Sequence, residues 1–230
     1  MTPERYAKIV SVLSRRQLDL TLVADRVSKP QNLSAILRTC DAVGIHEVHW
    51  GLAVNHHQPI FRRTASGSGN WLNLKLYESA KEPAKALKRQ GYQLVAAHFS
   101  EDAQHYQQVD YTQPTALVLG AELDGVSSPL ANLADVHVTV PMVGMVASLN
   151  VSVATAIILT EAMNQRLRSG QYDHPQLTPE EMNHFVFEWG YPDLANYCKT
   201  HQVPYPKLDD QGHIVYTPEW KQLIQHAQSN

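Results

Sequence analysis

An α/β fold built on a largely parallel sheet is what this 230-residue sequence predicts, and three observations carry the prediction. Short apolar runs at residues 20–23, 93–97, 116–119 and 136–140 read as buried strands. Segments with helical spacing separate them, so strand and helix take turns along the chain. The runs at 116–119 and 136–140 end in loops rich in glycine and proline. Loops of that kind, at the carboxyl ends of buried strands, offer bare backbone N–H and C=O groups to a flat ligand.

Taken in order, Tyr6, Ile9, Val10 and Leu13 predict a first helix, with Arg5, Lys8, Arg15 and Arg16 largely on its other faces. Residues 20–23 follow as a strand. Residues 32–43 carry Leu33, Ile36, Leu37 and Cys40 at helical spacing and stop at Gly44, a residue suited to closing a helix. A strand at 47–50 comes next. A polar loop holding His56, His57, Arg62 and Arg63 then runs through Ser66, Gly67, Ser68 and Gly69 to an alternating strand at 72–76. A charged helix at 78–90 is closed by Gly91. The strands at 93–97, 116–119 and 136–140 lead to the last long helix of the core at 148–168, for which Ser148 and Asn150 are candidate N-caps.

From Ser169 onward the texture changes. Pro175, Pro179, Pro192, Pro204, Pro206 and Pro218 punctuate short helical pieces around Phe185, Phe187, Trp189, Tyr197 and Trp220, which reads as an appendage and not as a second core. The expected organisation is a basic amino-terminal helical segment at 1–29, a main α/β domain at 30–168 and a helical extension at 169–230. There is no internal repeat or low-complexity tract.

Composition narrows the function classes. With 43% apolar residues the chain can bury a full core, so a disordered or fibrous protein is excluded. Cys40 and Cys198 stand far apart and form no C-x-x-C, which speaks against a disulfide framework or a thiolate metal site and for a reducing cytoplasm. The amino terminus lacks the hydrophobic region of a signal peptide, and the apolar run at 151–159 is too short to span a bilayer. Twelve histidines show no H-E-x-x-H spacing, so no metal is expected. The net charge of −3 does not by itself announce nucleic-acid binding. Its distribution is more telling. Residues 1–115 carry 14 Lys and Arg against 10 Asp and Glu, and residues 116–230 carry 5 against 12, so a phosphate-binding face belongs mainly to the amino-terminal half.

Three segments carry chemistry. Asn32 to Arg38 reads N-x-x-x-I-x-R, Leu119 to Gly125 reads L-G-x-E-x-x-G, and the stretch from Val140 reads V-P-M-x-G-x-x-x-S-L-N-V-S-V-A. Singly they are weak. The second is an ordinary strand-exit turn when met alone, an isolated Arg38 is usually a surface arginine, and Glu122 could equally be a solvated carboxylate. Gly67-Ser68-Gly69 lacks the third glycine of a dinucleotide fingerprint and precedes a strand, which disfavours a Rossmann dehydrogenase.

In that order and spacing, the three segments resemble the SpoU or TrmH group of the SPOUT methyltransferases, a likeness that runs over roughly residues 5–168. The tail GYPDLANYCKTHQVPYPKL resembles the members of that group that methylate guanosine in tRNA. Chain-tracing rules favour an unknotted topology; the resemblance implies instead a SPOUT fold, a mainly parallel sheet flanked by helices with a carboxyl-terminal trefoil knot. It implies S-adenosylmethionine-dependent 2′-O-methylation of the ribose of guanosine 18 in the tRNA D-loop. It makes Arg38, Asn32, Glu122, Ser148 and Asn150 the catalytic pocket, with Ser148 helping to hold Arg38, and places the cofactor at Ala97, Gly120, Val140 and Leu149. Arg5, Lys8, Arg15 and Arg16 are the expected RNA contacts. The implied partners are tRNA and a second copy of the chain, not DNA or a membrane. Two other readings stay open: a ribose methyltransferase for another tRNA or rRNA position, and a non-catalytic RNA-binding protein that retains the fold.

Overall fold

Strand β1 (Leu20–Asp25) is buried at all six positions. Its side chains alternate between two apolar layers, Leu20, Leu22 and Ala24 in one and Val23 in the other. A strand covered on both faces must lie inside a sheet sandwiched by helices, and that is the architecture seen in a computed structural model describing residues 1–52 and 67–228. The polar loop with His56, His57, Arg62, Arg63 and Ser66 lies outside the described residues.

The chain divides into two units, residues 17–173 and residues 1–16 with 174–230. In the first, β1 is followed by helix α2 (Pro30–Ala42), β2 (Glu47–Gly51), a 3-10 turn (Ser68–Trp71), β3 (Asn73–Tyr77), α3 (Lys81–Arg89) and β4 (Gln93–Ala97). Then come β5 (Gln104–His105), a 3-10 turn (Tyr106–Gln108), β6 (Thr115–Leu119), α4 (Ser128–Ala131), β7 (Val136–Thr139) and α5 (Val151–Arg168). The seven strands are ordered β3-β2-β1-β6-β4-β7-β5, and every pairing is parallel. One core joins Leu33, Ile36 and Leu37 of α2 and Ile158, Leu159 and Ala162 of α5 to the sheet. The other joins Ala84 and Leu87 of α3 and Leu130 of α4 to the opposite face.

The local signals act as expected, with small offsets. Gly44 and Gly91 follow α2 and α3 with φ of 84° and 90°, the left-handed conformation for which glycine carries no Cβ penalty. The alternating strand is β3, exposed at Asn73 and Lys75 because it forms one edge of the sheet. Helix α3 begins at Lys81 instead of residue 78. Strand β5 has only two residues, too few to leave a periodic signal.

In the second unit, α1 (Pro3–Leu13) packs with α6 (Pro179–Gly190), which α7 (Pro192–Thr200) and α8 (Pro218–Gln228) follow. Here the structure corrects the sequence reading. Phe187, Ala195, Cys198, Val203 and Trp220 form a buried cluster of their own, so the tail does carry a core. The prolines conceal it by breaking the helices into pieces too short for periodicity to show.

Candidate active site

The carboxyl ends of β6, β4 and β7 are neighbours in the sheet, and the loops leaving them wall a cavity of about 860 Å³. That volume suits a cofactor-sized ligand, since such sites usually measure about 300–1,000 Å³. All four predicted cofactor positions line it: Ala97 from the end of β4, Gly120 from the end of β6, Val140 from the end of β7 and Leu149 from the approach to α5. Each sits at or just past the end of a strand, or just before a helix. The lining is mixed: Val138, Ile158 and Met142 are apolar, and Lys29, His98, Glu122 and Asp124 are polar or charged. Burial, and then the neighbouring His137, push the His98 imidazole in this lining below the usual histidine range.

Gly120 has a packing reason to be glycine. A Cβ there would fall on the backbone of Gly125 and Val126, where the loop folds back on itself through paired bonds from Ala121 N–H to Gly125 O (3.0 Å) and from Gly125 N–H to Ala121 O (2.9 Å). Gly120→Ala must open that turn. Isothermal calorimetry is expected to show at least a tenfold loss of S-adenosylmethionine affinity, the result of a displaced wall; unchanged affinity would detach the loop from the cofactor.

Beside the cavity, the three sequence segments meet in one hydrogen-bonded chain. The Asn32 side-chain amide donates to Glu122 Oε1 at 2.8 Å, and the Asn150 amide donates to Asn32 Oδ1 at 3.0 Å. Asn150 Oδ1 in turn accepts from the Ser152 N–H at 2.8 Å, which makes Asn150 the N-cap of α5. Capping and site-building coexist in this residue, and of the two candidate caps it is the one that takes the position. Glu122 Oε1 also accepts the Lys29 N–H at 3.2 Å. Partial burial pushes the Glu122 carboxyl up, but the Asn32 amide and the backbone N–H groups of Glu122, Lys29 and Ser28 outweigh it, and the net direction is down. Glu122 is therefore a fixed anion that orients Asn32, which is 5% exposed.

Arg38 stands elsewhere. It lies two turns along α2, exposed, in a groove between α2 and α5 that it shares with Ser34, Ser152 and Tyr106. Ser148 lines the cofactor cavity instead. Within one chain Ser148 therefore does not hold Arg38, contrary to the sequence expectation; helical geometry turns Arg38 away from the face that carries Asn32. Ser152 is the residue the sequence reading misses, and it links the two regions by donating from Oγ to Asn150 Oδ1 at 2.6 Å. Its signal was its place at the second turn position after an Asn cap.

The amino-terminal cations are also redistributed. Lys8 and Arg15 are exposed, and Arg5 spends one N–H on the Trp189 carbonyl at 2.9 Å. Arg16 is 1% exposed, with its guanidinium 5.3 Å from the Trp189 ring centre. This corrects Arg16 as a phosphate contact, since a buried guanidinium over an indole is occupied in packing. Among the described residues, no group of three His, Cys, Asp or Glu is placed to hold a metal ion.

A cofactor-sized cavity at the carboxyl ends of adjacent parallel strands places the molecule among the α/β proteins whose fold offers a nucleotide-like ligand a site there. The chain belongs to the SpoU rRNA Methylase family, which it matches over residues 19–160, with a match to the SpoU rRNA methylase C-terminal region over residues 164–217. It is 42% identical to the tRNA (guanosine(18)-2′-O)-methyltransferase of Escherichia coli strain K12, over 99% of this chain and 100% of that one. With the enzyme of the same name from Thermus thermophilus it shares 48% identity over 82% of this chain and 96% of that one. In structure it resembles the TrmH/SpoU tRNA modifying enzyme of A. aeolicus, with a TM-score of 0.77 and 40% identity over 83% of this chain and 97% of that chain. It also resembles the SpoU methyltransferase AviRb of Streptomyces viridochromogenes in complex with AdoMet, with a TM-score of 0.58 and 31% identity over 67% and 62% of the two chains.

Proposed function

We propose that the protein is a tRNA (guanosine(18)-2′-O)-methyltransferase that uses S-adenosylmethionine. The hydrogen-bonded chain Glu122–Asn32–Asn150 at the edge of the cavity carries this reading, because it unites three distant segments at a cavity of the size a methyl donor needs. The relatives named above, matched along nearly their whole lengths, support the tRNA guanosine as acceptor. S-adenosylmethionine supplies an electrophilic methyl group on a sulfonium. The chain's own residues do the rest. Ala97, Gly120, Val140 and Leu149 would hold the ligand in the cavity they line. Arg38 binds the phosphate next to the target ribose through two parallel N–H groups, orients the 2′-hydroxyl and stabilises the charge that develops on its oxygen. A guanidinium keeps its proton to very high pH, so the hydroxyl proton leaves to phosphate or water.

The working form in this reading is a cytoplasmic homodimer with a carboxyl-terminal trefoil knot. Three observations support the dimer. Arg38 and Ser148 lie on different surfaces of one chain, so a second copy is what can complete the site. The groove around Arg38 is floored by small side chains of two packed helices, Ser34 and Ala35 of α2 and Ser152 and Ala156 of α5. Phe99, Leu123, Val143 and Met145 stand exposed on the loops around the cavity, an apolar rim of the kind that marks an interface. The knot is supported by the loops after β6 and β7 lining one cavity with the start of α5, and the cytoplasm by the free thiols of Cys40 and Cys198.

The direct experiment supplies labelled S-adenosylmethionine and unmodified tRNA and maps the product. Methyl on the ribose of guanosine 18 is the expected outcome, and methyl on another nucleotide or none overturns the assignment. Sedimentation at micromolar concentration is expected to show a dimer; an active monomer would remove the intersubunit site. The exposed Lys8 and Arg15 are the expected phosphate contacts of the amino-terminal segment. Changing both to alanine should weaken tRNA binding and flatten its salt dependence by about one unit of slope per lost contact. Arg16→Ala should lower the melting temperature and leave the salt slope alone.

A further inference from the structure

We infer that Asp25 is a positioning residue for methyl transfer, a carboxylate that fixes the loop 120–127 so that Glu122 meets Asn32. The inference rests on the proposed methyltransferase reading. Asp25 ends β1 and is 5% exposed. Its Oδ2 accepts the Ser127 N–H at 2.9 Å, tying the far end of the loop that carries Gly120 and Glu122. Its Oδ1 accepts from Arg26 Nε at 3.3 Å. Arg26 has a φ of 59°, a left-handed conformation that a residue with a Cβ adopts only where its surroundings impose it.

The surroundings are visible. The Arg26 N–H donates to Gly51 O at 3.1 Å, and the Trp50 indole N–H donates to Val27 O at 3.1 Å. The other arm of the Arg26 guanidinium lies 3.9 Å from Asp124 in the same loop. Residues 26–29 and 120–127 are thus two adjacent loops joined at both ends. Asp25 and Arg26 clasp Ser127 and Asp124 at one end, and Glu122 clasps the Lys29 N–H and Asn32 at the other. A carboxylate taken out of water is unfavourable unless its partners compensate it. An amide would satisfy the Ser127 N–H with its one oxygen, but a carboxylate offers a second oxygen that also gathers Arg26.

A merely structural Asp25 and a positioning Asp25 differ in how their losses combine with those of Glu122. The test compares wild type, Asp25→Asn, Glu122→Gln and the double variant for kcat and KM on unmodified tRNA. It adds a carbon-detected NMR titration of the Glu122 carboxyl without substrate. Asp25→Asn keeps the volume and an acceptor for the Ser127 N–H. It should lower kcat on the order of tenfold, a loss within reach of a small misplacement, with the KM for tRNA unchanged. In the Glu122→Gln background it should cost about twofold or less, because the residue through which it acts is gone. The Glu122 titration should move up toward the ordinary carboxylate range in Asp25→Asn. Multiplicative losses in kcat, or an unmoved Glu122 titration, overturn the inference. If wild type fails to methylate tRNA, the functional reading falls while the titration still tests the link between Asp25 and Glu122. Should Asp25→Asn not fold, Ser127→Pro removes the same hydrogen bond from the other side, at a φ of −62° that proline accepts, and is read by the same two criteria.

Discussion

Arg38→Ala is expected to lower kcat for tRNA methylation by about 10²–10³-fold, the loss that follows removal of one pre-organised charge-stabilising donor, while S-adenosylmethionine binds as to wild type. The separation follows from geometry. Arg38 lines the groove between α2 and α5 and is not among the residues that wall the cavity formed by the loops after β4, β6 and β7. Arg38→Lys should fail nearly as badly, because lysine keeps the charge but loses the planar two-pronged fork. Calorimetry with the cofactor and single-turnover transfer to tRNA read the two halves of the prediction. Substantial turnover in Arg38→Ala would remove this residue from the mechanism, and lost cofactor affinity would place it in the cavity after all.

The case of Arg38 also shows how far the sequence reaches. Local patterns are legible because one-dimensional periodicity is a physical record of burial: Leu33, Ile36, Leu37 and Cys40 recur on one face of α2 because that face meets the sheet. Asn32 and Asn150 are legible because each stands at the start of a helix, but their meeting is not, since the strands before those helices, β1 and β7, are separated in the sheet by β6 and β4. What the pattern does not record is which side of a helix a polar residue serves. Arg38 belongs to the same motif as Asn32, yet six residues on it faces another surface. Asp25 was illegible for a related reason. A carboxylate at the end of an otherwise apolar strand reads as the strand's exit into solvent, and only the crossing of loop 120–127 over it turns it into a buried clasp. The same limit hides the small core of the tail, where Phe187 and Trp220 are far apart in sequence and separated by Pro192, Pro204, Pro206 and Pro218.

The largest effect on stability is expected at a residue far from the chemistry. Arg166, near the end of α5, is 0% exposed. Its guanidinium donates to Tyr111 O at 2.9 Å, Gln17 Oε1 at 3.1 Å, Asp19 O at 3.2 Å and Gln113 O at 3.1 Å, and pairs with the Asp19 carboxylate. It gathers the residues just before β1 and just before β6 onto the last turns of α5, and so closes the amino-terminal side of the two central strands. Arg166→Met keeps most of the volume and removes the donors. Breaking a fully buried ion pair from one side costs about 3–5 kcal/mol; the charge left here, Asp19, is 30% exposed, so a smaller loss is expected, a fall in melting temperature of roughly 5 °C. In many buried pairs the loss is recovered by also replacing the acidic partner with an apolar residue. Here recovery should be small. The buried Tyr111 carbonyl and Gln17 Oε1 lose the guanidinium in either variant, and no substitution at Asp19 restores it, whereas Asp19 O keeps the Thr115 N–H and Gln113 O keeps the Thr115 hydroxyl; a buried acceptor that loses its donor keeps its desolvation penalty. The double variant Arg166→Met with Asp19→Leu is therefore expected to melt within a few degrees of the single one. Equilibrium unfolding of wild type, single and double variants by circular dichroism decides it, and a double variant restored to wild-type stability would show that the charge pair with Asp19, and not the carbonyl cluster, is what Arg166 is for.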